Sequence, residues 1–89
     1  MNPKQHLETL HDLPCVACYL LLDKLVTPVQ VHHLEFVRDD MKHYAAVPLC
    51  VFHHSELHRL SRRGFERVTK LTPIDLLAGT VMLLMENQT

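Results

Sequence analysis

Two short chelating pairs limit what this chain can fold into more than any other feature. Cys15-x2-Cys18 lies in "CVAC", and Cys50-x2-His53 lies in "CVFH". An x2 spacing lets both side chains of a pair reach one ion from a tight turn. Zinc takes four soft or borderline ligands in a tetrahedron, and a Cys3His set satisfies it. The set leaves none of the three cysteines over. An odd number at this spacing is not a disulfide framework, and thiols used as ligands fit a reducing compartment. A CxxC alone also reads as a redox motif; Cys50 and His53 turn it into a split structural zinc knuckle. The ion would tie residue 15 to residue 53 across most of the hydrophobic core. A chain of 89 residues buries only a modest core and often needs a staple such as a metal, disulfides or a partner subunit.

The remaining composition narrows the class. Hydrophobic residues make up 47% of the chain, so it is globular rather than disordered, and its length suits one domain. The formal net charge of −1 lends no support to a nucleic-acid partner. Only "HRLSRRGFER" offers a local basic patch, with four arginines, and a solvated helix face would look the same. The N-terminal "MNPKQHLETLHDL" has no signal-peptide pattern, and "LLAGTVMLLM" is too short to span a bilayer. These features lead to the expectation of a soluble intracellular protein without a membrane partner.

Local signals place the elements. Asn2 as N-cap and Pro3 at the first helical position predict a helix over about 3–12, ended by Pro14. "CVAC" reads as a tight turn, and "YLLLDKLV" is ambiguous between helix and strand. Val29, Val31 and His33 alternate with Gln30 and His32, the period of a strand. "RDDMKH" reads as a loop, and "YAAVPLCV" as a second strand with Pro48 near its end or at an edge. "HHSELHRLSRR" predicts a helix stopped by Gly64, and "FERVTKL" a short helix after it. Thr72, Pro73 and Asp75 then open a last helix over about 73–86. Its expected apolar face is Leu76, Leu77, Thr80, Val81, Leu84 and Met85, which serves as core or as a homodimer interface.

Six of the eight histidines lie between residues 32 and 58. His54 and His58 stand four apart, on one helical face, and can chelate one ion. His32 and His33 are neighbours on a strand and point to opposite sides. One of them is available as a third ligand and the other to face a substrate; the spacing does not choose between them. Three protein ligands with open positions form a catalytic arrangement. Phosphodiester hydrolysis suits it, with an imidazole to take a proton from water and a divalent cation to stabilise the phosphate and the leaving oxygen.

Together "CVAC", "VQVHHLEF" and "VPLCVFHHSELH" resemble the HNH endonucleases, in particular the phage and prophage Ref-like group, over roughly residues 15–60. The resemblance implies an α+β fold: a small ββα-metal core with a split zinc knuckle, flanked by N- and C-terminal helices. The whole of 1–89 would be one domain, with its core at about 15–60 and a helical extension at about 65–87. It further implies His33 as general base, and His32, His54 and His58 as ligands of a catalytic Mg2+, Mn2+, Ni2+ or Zn2+. Three imidazoles favour the later transition metals over Mg2+. The substrate would be DNA, cut with little sequence preference, in the cytoplasm of a bacterial or phage-infected cell. Phosphate binding would fall to Lys42, Arg59, Arg62, Arg63 and Arg67 and weaken steeply with salt. The chain departs from the family at its middle asparagine. Ala45 and Ala46 stand there, and His43 is the nearest polar residue. Two other readings use the same residues: a non-catalytic zinc module that binds nucleic acid or protein, and a dimeric interaction protein working through the last helix.

Overall fold

The computed structural model describes residues 2–87. Helix α1, Pro3–His11, opens with a reciprocal cap. The Asn2 side chain accepts from Gln5 N at 2.8 Å, and Gln5 Oε1 accepts from Asn2 N at 3.2 Å, satisfying two otherwise orphaned donors. The helix ends at Asp12, ahead of Pro14. "CVAC" does not form an isolated turn. Cys15 is instead the N-cap of α2, Val16–Leu22, with its sulfur accepting from Cys18 N at 3.5 Å. A side-chain acceptor at this position meets a free helical N–H, so the chelating pair starts a helix. Asp23, at φ 53°, ends it in the left-handed region.

Strands β1, Gln30–His33, and β2, Ala46–Leu49, form a two-stranded antiparallel sheet. Val31 pairs with Pro48, His32 with Val47 and His33 with Ala46. Either strand has one free edge, so Pro48 can sit within β2 without breaking a second ladder. Helix α3, Val51–Thr69, follows directly and brings Cys50 and the next histidines beside the sheet.

The expected stop at Gly64 is not where α3 breaks. The break is at Ser61, with φ 63° and ψ 171°, and Gly64 lies inside the second limb. A Cβ on Gly64 would stand 3.1 Å from Leu60 Cβ. The glycine therefore gives room for the close approach across the bend rather than ending a helix.

Helix α4, Pro73–Asn87, starts with Thr72 and Asp75 capping each other at 2.9 and 3.0 Å. It packs on α2 and β2. Its buried residues are Leu76, Gly79, Thr80 and Leu83, whereas Val81 and Met85 of the expected stripe are exposed. A helix apolar on all sides does not define its own phase. Here Gly79 decides it, since a Cβ there would meet Val16 and Leu20 at 2.7 Å. The opposite side carries exposed Ile74, Val81, Met82 and Met85, so a homodimer through α4 would use that side. Leu10, Leu13, Val16, Val47, Leu49, Phe65 and Leu76 form the fully buried centre, between the sheet and the helices. Among the described residues no single helix is long and apolar enough to cross a membrane.

Candidate metal centres

Two groups of metal-ligating side chains lie on either side of the start of α3. The first is Cys15, Cys18, Cys50 and His53, all buried. His53 Nδ1 stands 3.6 Å from Cys15 Sγ and 3.4 Å from both Cys18 Sγ and Cys50 Sγ, and Cys18 Sγ is 3.8 Å from Cys50 Sγ. A tetrahedral zinc with ordinary bond lengths would set S···N edges of about 3.6 Å and S···S edges of about 3.8 Å. The four atoms thus already sit at the corners such an ion requires, and the cluster is positioned to bind a metal such as zinc. Burial pushes the Cys15 thiol up and the Cys18 thiol up to about 12. For Cys50, burial also acts upward, but the donors around it, the His53 backbone N–H first, outweigh it and the net shift is downward. Thiols this close cannot all ionise without a cation among them, whereas zinc holds them as thiolates.

The second group is His32, His54 and His58, half-buried to exposed. His54 Nε2 and His58 Nε2 are 3.1 Å apart. The His32 ring stands edge-on to both, with centroids at 5.3 and 5.8 Å. Two imidazole nitrogens on one cation would be about 2.9 Å apart at right angles and about 3.35 Å apart in a tetrahedron, so the observed edge fits either geometry. Gln30 Oε1 lies 2.6 Å from His54 Nδ1. That contact places the His54 proton on Nδ1, donating to the amide oxygen, and leaves the Nε2 lone pair for a cation. Burial first, and the neighbouring His54 and His58 next, hold His32 down at about 4. Burial likewise lowers His54. At neutral pH both rings are therefore uncharged, as ligands must be.

His33 takes the other side of β1, as strand alternation requires. Its Nε2 is 3.1 Å from His43 Nδ1, across the loop between the strands. Burial, followed by the charges of His43 and Lys42, lowers its pKa. The arrangement divides the six clustered histidines: one beside the thiols, three together, and a separate pair. Adjacent His53 and His54 fall in different groups because one residue along a helix turns the side chain by about 100°.

The basic residues divide as well. Arg62, Arg63 and Arg67 line one concavity together with Lys70 and Glu66. Arg59 is engaged by Glu56 in an i,i+3 ion pair, so it is less available than the others. Lys42 lies apart, in the hollow that holds His33 and His43. Sequence reasoning missed Gln30 and Lys70. The alternation in "VQVHH" does put Gln30 two residues from His32 on the same face, which was the available signal. Lys70 gave none, because it follows the helix in a left-handed C-cap.

A family model described as "Recombination enhancement, RecA-dependent nuclease" matches residues 2–80. No curated protein and no solved structure matches the chain. The family match takes in both metal-ligating groups, the His33–His43 pair and the first half of α4, and on that extent the chain belongs to the recombination-enhancement, RecA-dependent nuclease family.

Proposed function

We propose that this nuclease is a metal-dependent, HNH-type DNA endonuclease or nickase with His33 as its general base. The observation that carries the reading is the pairing of a three-imidazole group with a separate, hydrogen-bonded histidine on the opposite face of the same strand. When bound at His32, His54 and His58, a divalent cation supplies positive charge for the phosphate oxygens and the leaving 3′ oxygen. His33 Nε2–H donates to His43 Nδ1, which leaves His33 Nδ1 free to take a proton from water. The downward shift of His33 keeps that nitrogen unprotonated near neutral pH. His43 keeps its partner during the transfer, because the imidazolium still donates through Nε2. His43 thereby does the positioning work that Ala45 and Ala46 cannot. Arg62, Arg63, Arg67 and Lys70 hold strand phosphates in their shared concavity, and Lys42 does so beside the base.

The test is cleavage of plasmid and single-stranded DNA with Mn2+, Ni2+ or Mg2+, with and without RecA, because the family's name makes RecA a condition of activity. His33→Ala should lower the rate by about 10²–10⁴-fold with zinc content and fold retained. Undiminished cleavage by that variant would remove His33 from the role. The absence of the middle asparagine usual in HNH enzymes favours a second reading, a zinc module without catalysis. That reading expects one tightly held zinc per chain and no second, exchangeable cation.

A further inference from the structure

Beside the histidine group lies a cavity of about 280 Å3. Its near wall is made of His32 and His58, two of the three imidazoles. Its floor is apolar and includes Leu57, Phe65 and Leu71, and its rim carries Glu35 and Arg62. Ser61, where α3 bends, lines it together with Arg62 and Phe65 of the second limb. That backbone region is one a serine seldom adopts, and such residues concentrate at binding sites. The Arg62 guanidinium also reaches over the Phe36 ring, 5.4 Å from its centroid, and the ring is 87% exposed. Phe36 itself lines the neighbouring hollow of His33 and Lys42, so Arg62 spans the two openings.

We infer that this cavity is a nucleobase pocket, which receives one unstacked base of the DNA strand whose phosphate lies at His32, His54 and His58. The inference rests on the nuclease reading above. A phosphate at the shared histidine wall brings its own or the next base within reach of the opening. The apolar floor with Phe65 excludes the phosphate itself and suits the face of a base. The Glu35 carboxylate offers an acceptor to a base edge, while Arg62, which lines both this cavity and the basic concavity, stays with the phosphate. Stacking in a pocket of this kind tolerates every base, which agrees with cleavage of little sequence preference. A base reaches it only after leaving its own stack, so paired duplex must open locally at the cleaved nucleotide.

Two measurements test the pocket. The first is cleavage of a DNA strand carrying an abasic nucleotide placed in turn at each position around the cut. Removal of the base at one position should lower kcat/KM about tenfold or more, and the penalty should vanish in Leu71→Trp, which fills the cavity. The second does not depend on activity: methyl NMR of the leucines during titration with a cleavage-resistant phosphorothioate oligo(deoxyadenosine) in the presence of Zn2+. Upfield shifts of the Leu57 and Leu71 methyls, absent when the abasic oligomer is used, are expected. Shifts without cleavage under any metal would keep the pocket and overturn the nuclease reading. Cleavage indifferent to every abasic position, or unshifted methyls, would overturn the pocket. Neither wild-type arm depends on whether Leu71→Trp folds.

Discussion

The sulfur-rich group and the imidazole group share helix α3 and are entered by adjacent residues, His53 and His54, yet their surroundings differ in kind. The first is buried on all four ligands and joins α1–α2 to α3 through contacts more than thirty residues apart in sequence. The second stands at the surface, fixed from one side by Gln30 and open toward a cavity. A closed, four-ligand group holds structure, whereas a three-ligand group with free positions can exchange ligands. On the proposed function one helix carries both tasks: its buried face staples and its exposed face works.

The largest effect should come from the buried side. Cys18→Ala should leave the chain unfolded at ordinary temperature, because a structural zinc contributes about 10–16 kcal/mol in small domains while total stability is about 5–15 kcal/mol. Loss of near-UV circular dichroism together with the zinc is the expected record; a folded, zinc-free Cys18→Ala protein would dissolve the contrast. Next, His54→Ala should abolish exchangeable Mn2+ or Ni2+ binding, followed by isothermal titration, while the melting temperature moves by no more than a few degrees. If the melting temperature instead collapsed, the open group would also be structural. Gln30→Ala should weaken the same cation by about 10–100-fold, through loss of the acceptor that fixes the His54 proton. Unchanged affinity would make the contact incidental.

The smallest effect is a dependence of stability on pH. His32 is held at about 4, and His6, whose buried Nε2 has no hydrogen-bond partner among the described residues, is also lowered by burial. Their folded values lie below the ordinary unfolded value of about 6.5, so the unfolded chain takes up protons first. Stability is therefore full above about pH 6.5 and falls as the pH drops toward 4. Urea midpoints of the zinc-loaded protein, measured without an exchangeable cation, should decline from pH 7 to pH 5.5. A flat series would place His32 in water rather than in the fold.

Much of this division is legible in the sequence alone. The two x2 pairs name their ligands by chemistry, and strand alternation separates His32 from His33. The Asn2 and Thr72 caps are recognisable because each brings its own partner three residues on. Features set by distant contacts are not legible. "CVAC" looks like a turn because an N-cap cysteine is rarely read as a helix start. Ser61 hides the bend behind Gly64, whose role is clearance for Leu60. The phase of α4 follows from its approach to Val16 and Leu20, which no periodicity within an apolar helix can reveal. Arg59 looks like any other cation of the patch in the sequence, whereas in the fold Glu56 holds it.

The central claim is that adjacent His53 and His54 belong to different ions. A crystal of the zinc-loaded protein soaked in Ni2+, with anomalous data collected at both metal edges, tests it most directly. Two separate peaks are expected: zinc among Cys15, Cys18, Cys50 and His53 Nδ1, and nickel on His32 and the Nε2 atoms of His54 and His58. A single ion bound by both His53 and His54, or nickel absent from the imidazole group at saturation, would contradict it.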